Sequence, residues 1–213
     1  MSTPFLTALK SGDIAGVTAL LDAEPALVDA RADGMTAVTT AMFHGQKAIA
    51  ELLVARGATL DIFDAAMTGS LNRVRELLRD DPSLVNAASD QGHTVFGLAC
   101  FFGQPEVGGY LLGMGADVHQ RSENAMRVQA LHAAVAGGHY GLSKAVIEHG
   151  ADVNAVQQSG FTPLQAAAQS GNLAITRLLL AHGADKSAVN ELGKTALDYA
   201  RDGGFGEIEA FLR

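Results

Sequence analysis

The chain has 213 residues, 48% of them hydrophobic and 18% charged, with a formal charge of −8 and one cysteine. That apolar fraction excludes global disorder and is enough for a buried core, and a single cysteine, Cys100, excludes an internal disulfide framework. An acidic balance without a basic run of four residues argues against a nucleic-acid partner, because affinity for the phosphate backbone rests on concentrated Lys and Arg.

No run of about 18 apolar residues occurs, so no membrane span is expected. The opening "MSTPFLTALKSGD" lacks the basic and then apolar segments of a signal peptide. With an unpaired thiol, the expected setting is the cytoplasm.

Taken in chain order, the segments repeat one another. The stretches "FLTALKSGDIAGVTALLDAEPALVDARADG" (5–34) and "FDAAMTGSLNRVRELLRDDPSLVNAASDQG" (63–92) align, with Gly12 and Gly69, Leu20 and Leu77, and Pro25 and Pro82 each 57 apart. This predicts a duplicated pair of units in the first half. Between them "TAVTTAMFHGQKAIAELLVARGA" (36–58) runs through "ATLD" almost directly into the next helical pattern. No room remains for a projecting turn there, and a notch in the loop row is expected. "TVFGLACFFGQPEVGGYLLGMGADV" (94–118) follows, then "RSENAMRVQ" (121–129), which predicts a longer irregular loop. "GMGADV" and "EHGADV" lie 35 apart, whereas Gly150 and Gly183, Gly160 and Gly193, and Thr162 and Thr195 all lie 33 apart.

A period near 33 with two apolar stripes per unit means stacked supersecondary units. In residues 159–185, Gly160 permits a tight turn, Thr162 caps a short helix and Pro163 suits its first position. Ala166–Ala168 make a narrow face for close helix approach. Gly171 breaks the chain before a second helix, whose stripe is Leu173, Ile175, Leu178, Leu179 and Leu180, and Gly183 ends it. The unit starting at 189 stops after one more apolar face and reads as a C-terminal cap.

These units resemble ankyrin repeats. The family's TPLH–AA–GH–LL–GADVN wording is matched by "TPLQAAAQSGNLAITRLLLAHGAD", "ALHAAVAGGHYGLSKAVIEHGADVNA" and, more loosely, by the 36–58, 94–118 and 195–213 segments. The resemblance implies an all-α solenoid of about six helix-turn-helix units with projecting β-turn or hairpin loops, in one domain over 1–213. Approximate units are 1–30, 31–61, 62–88, 89–120, 121–156, 157–188 and 189–213. It also implies a non-catalytic protein-binding module that acts as a monomer through loop tips and the exposed side of each first helix. Carried across residue by residue, the expected partner-binding set is Arg31, Asp33, Met35, Phe43, His44, Met67, Asp90, Gln91, His93, Phe101, Phe102, Gln158, Phe161 and Leu192. Phe43, Met67 and Phe101 or Phe102 are expected to form one apolar floor beside the notch. The competing structural reading is that the phenylalanines lean inward to fill it.

Reactive chemistry is sparse. His132 stands at the TPLH histidine, where the resemblance implies hydrogen bonds to turn backbone. His149 and His182 recur at one repeat position, but two imidazoles make a poor zinc site, and no metal or cofactor is expected. Cys100 occupies an alanine packing position and reads as an inert thiol. No carboxylate pair suggests acid–base catalysis. The rival function is a small-molecule binder or enzyme using a groove around His44, His93 and Phe101–Phe102.

Overall fold

A computed structural model describes residues 1–213. Its fourteen α-helices form seven consecutive pairs. No helix is long and apolar enough to cross a membrane. The chain divides into two units, Met1–Pro82 and Ser83–Arg213.

In the first unit the pairs are α1 (Thr3–Ser11) with α2 (Ile14–Ala23), α3 (Ala37–Phe43) with α4 (Lys47–Ala55), and α5 (Ile62–Thr68) with α6 (Leu71–Asp80). The first helices α1, α3 and α5 pack in a row, and α2 packs on α4. Phe5, Leu9, Ile49, Leu53 and Leu78 are all but completely buried between them. Ala41, Ala65 and Ala66 are also fully buried, small enough for neighbouring first helices to approach. Between α2 and α3 the chain projects as a finger: β1 (Arg31–Ala32) pairs with β2 (Met35–Thr36) in antiparallel register. Asp33 and Gly34 close it with φ of 52° and 76°, the left-handed pair that an Asp-Gly turn supplies readily.

No finger precedes α5. Asp61 caps that helix directly, its Oδ1 accepting the N–H groups of Phe63 and Asp64 at 3.0 and 2.9 Å. The notch expected from "ATLD" is therefore present.

The second unit pairs α7 (Val95–Phe101) with α8 (Pro105–Gly113), α9 (Ala130–Ala136) with α10 (Tyr140–Glu148), α11 (Pro163–Gln169) with α12 (Leu173–Ala181), and α13 (Ala196–Asp202) with α14 (Gly206–Leu212). First helices pack in one row and second helices in another. Each pair alone would expose its apolar stripe, so stacking is what hides Leu131, Leu164, Ile175 and Leu179. Thr162 and Thr195 form capping boxes with Gln165 and Asp198, satisfying N–H groups that a helix start leaves unpaired. Gly171 follows α11 with φ of 70°, and a Cβ there would sit 2.5 Å from the Phe205 ring. Only glycine fits that close approach.

Neighbouring fingers in this unit are tied by backbone hydrogen bonds, from Glu123 N–H to Gly92 O, Gln158 N–H to Met126 O, and Glu191 N–H to Ser159 O, at 2.8 to 3.0 Å. Residues 121–129 form the expected irregular loop, closed by Ser122 N–H to Val128 O at 2.8 Å and by Gln129 Nε2 to His119 O at 2.8 Å.

Candidate functional site

The helix caps set the register of every candidate residue. Thr36, Asp61, Thr94, Gln129, Thr162 and Thr195 hold the cap position of the first helices. Counted from them, the seventh helical residues of α3, α7, α9 and α11 are Phe43, Phe101, Ala136 and Gln169, all exposed. The sixth are Met42, Cys100, Val135 and Ala168, all buried.

Met67 is a sixth residue. It is 0% exposed, so it contributes core rather than an apolar floor. The expectation was one residue out of register, and a step of one residue rotates a side chain about 100° around a helix.

Phe101 is 42% exposed and Phe43 is 39% exposed, so neither is absorbed into the core. Phe102 is half-buried and meets Phe101 edge to face, ring centroids 5.1 Å apart. Phe101 is held at its backbone as well: its carbonyl accepts from His139 Nε2 at 3.0 Å. A Cβ on Gly137 would lie 2.4 Å from that same oxygen.

Among the finger residues, Arg31, Asp33, Asp90, Gln158 and Leu192 are exposed, while Met35, Gln91, His93 and Phe161 are half-buried. Leu192, at 73%, is the most exposed large apolar side chain. Phe161 is partly withdrawn by an edge contact with Tyr199 at 5.3 Å. Arg31 pairs with Asp61 at 3.2 Å. His44 donates from Nδ1 to Thr40 O at 2.9 Å, and burial pulls the His93 pKa below its usual value. His149 and His182 each turn Nδ1 onto a carbonyl of their own helix, Ala145 O and Leu178 O, both at 2.8 Å. Cys100 is fully buried, which pushes its thiol pKa far up; such a thiol is not a nucleophile.

The third helical residues form a row that sequence reading passed over, apart from His132. Gln165 is 1% exposed and fully satisfied: its Nε2 donates to Ala188 O and Lys194 O at 3.0 and 3.1 Å, and its Oε1 accepts Thr162 N–H at 3.0 Å. His132 lies in the same way against the backbone of Ala155 and Phe161. Burial lowers its pKa to about 4, opposed by the backbone of Phe161 and Ala155.

Asp64 is the third member. It is 0% exposed, and its Oδ1 accepts from Thr36 Oγ1 and Thr39 Oγ1, both at 2.7 Å. Its Oδ2 is buried with no hydrogen-bond partner. Burial raises the Asp64 pKa to about 6, helped by the Asp61 charge and opposed by both threonines and Arg31. The signal that could have found it is the count from the caps, which puts a buried acid where the other repeats carry neutral side chains or, in α13, the half-buried Asp198.

Two rows of short helices joined by fingers define a helical-repeat scaffold. Residues 131–212 match the family described as Ankyrin repeats (3 copies), and the paired helices are consistent with ankyrin repeats. No curated protein matches it. Ankyrin repeats generally mediate protein–protein interaction.

Proposed function

We propose that this chain is a non-catalytic interaction module that offers its finger tips and the exposed ends of its first helices to a protein partner. The observation that carries the reading is the Phe101–Phe102 pair: an aromatic edge contact at the end of α7, with Phe101 open to solvent and its carbonyl fixed by His139. Aromatic anchors on rigid supports dominate interface energies, and a fixed scaffold loses little further entropy on binding. Gln158 and Leu192 add exposed finger residues within the same unit. The charge of −8 favours a basic partner surface, since interface potentials are complementary. The buried thiol of Cys100 and the helix-bonded rings of His44, His149 and His182 support a module without nucleophile or base.

A photo-crosslinking residue at position 101, with position 174 on the exposed side of α12 as control, tests this in native extract. Crosslinks to a protein at 101 and none at 174 are expected. Equal capture at both positions, or capture at neither, would contradict the assignment.

A further inference from the structure

The third helical residues supply two buried ionisable groups, one in each unit. Asp64 of α5 is 0% exposed and His132 of α9 is 2% exposed, whereas Gln165, at the equivalent place in α11, has no proton to exchange. Burial disfavours the charged form of either group. The neutral form of a carboxylic acid holds the proton, and the neutral form of an imidazole lacks the second one. Removal from water therefore gives these two side chains opposite responses to acid.

Their neighbours do not cancel the difference. Around Asp64, α3 carries no charged side chain, and on α6 Arg73 is paired with Glu76 while Arg75, Arg79 and Asp80 are exposed. Asp64 Oδ1 accepts two threonine hydroxyls, and Oδ2 has no hydrogen-bond partner. Burial raises its pKa to about 6, with Asp61 adding to the effect and Arg31 opposing it. Around His132, α11 carries no charge, and α7 offers only the Cys100 thiol, whose pKa burial pushes far up. On α10 Tyr140, Lys144 and Glu148 are all exposed. Burial lowers the His132 pKa to about 4, with Arg121 adding to the effect and Asp152 and the backbone of Phe161 and Ala155 opposing it.

The ordinary values are 3.8 for the acid and 6.5 for the imidazole. As pH falls from 6 toward 3.8, the cost of burying the Asp64 charge is relieved. As pH falls from 6.5 toward 4, the unfolded chain binds the His132 proton and the folded chain does not, so stability present above 6.5 is lost. The two windows overlap. His93, half-buried in the same unit as His132, has its pKa lowered by burial and acts in the same sense.

We propose that a mild fall in pH tightens Met1–Pro82 around Asp64 and loosens Ser83–Arg213 around His132, a proton switch with two opposed arms. Phe101 and Phe102 lie in the unit that acid loosens. The inference stands on the two buried groups and not on the protein-binding reading.

Native-state hydrogen exchange of the full chain, followed by NMR at pH 7 and pH 5 and corrected for the pH dependence of free-amide exchange, reads each unit separately. The amides of Ile49, Leu53 and Leu78 report on the first unit, and those of Leu131, Ile175 and Leu179 on the second. From pH 7 to pH 5 the opening constant should fall about tenfold in the first unit and rise about twentyfold in the second, as the displaced pKa values of Asp64 and His132 require. Asp64→Asn should abolish the fall. His132→Gln, which installs the amide that α11 carries at the same place, should remove most of the rise. Changes of the same sign in both units, inverted signs, or no change in either would overturn the proposal, as would opposed changes that survive both substitutions. The wild-type comparison needs no variant, so a substituted chain that fails to fold leaves the test intact.

Discussion

The 162–195 repeat and the 36–64 junction solve the same problem with different material. In the first, Gln165 reaches forward to two carbonyls of the next finger and back to its own cap. In the second no finger follows α3, and Thr36 and Thr39 reach instead to Asp64. The Gln165 amide is fully used, whereas Asp64 is satisfied at one carboxylate oxygen only.

The largest effect expected does not separate the two regions. Leu78 and Leu179 are both 0% exposed, so Leu78→Ala and Leu179→Ala should each cost about 2–5 kcal/mol through lost burial and a cavity. Urea denaturation midpoints measure both, and an unchanged midpoint for either would break the stacking assigned to its unit.

Asp64 separates them. Its folded pKa of about 6 lies above the ordinary 3.8, so the folded state takes up this proton first as pH falls. Asp64 therefore opposes folding most above pH 6, and the opposition is relieved as pH drops from 6 toward 3.8. At about 1.4 kcal/mol per pKa unit, Asp64→Asn should stabilise the chain by about 1–3 kcal/mol at pH 7. The gain should vanish by pH 4. A variant less stable than wild type at pH 7 would show that the carboxylate is already paired.

At Gln165 the sign reverses. Gln165→Ala strips donors from two finger carbonyls and should destabilise by about 1–3 kcal/mol at every pH, which thermal melts at pH 5 and pH 8 would check. The smallest effect belongs to Phe101→Ser. Losing one half-exposed ring and its edge contact with Phe102 should cost about 1 kcal/mol, while crosslinking or co-purification of the partner is lost. A collapse of the melting temperature would make the ring core.

Much of this was legible in the residues. Thr162, Pro163 and Gly183 announce a helix pair because caps and breakers act locally, and "ATLD" shows a missing finger by plain lack of length. The Met67 misplacement has the same source as the notch: with no finger to count from, the register had to come from the cap, and Asp61 does not resemble the Thr that caps α3, α7, α11 and α13. Asp64 was illegible for a different reason. An acid in the first turn of a helix is ordinary, and its burial depends on Thr36 and Thr39, 28 and 25 residues away.

The central claim is that Asp64 is buried and satisfied at only one of its two carboxylate oxygens. Carbon-13 NMR titration of its side-chain carboxyl in the intact chain tests this most directly. A midpoint near pH 6 is predicted; a midpoint at the ordinary 3.8 would mean that Oδ2 is solvated or paired, and the comparison between the two regions would fall.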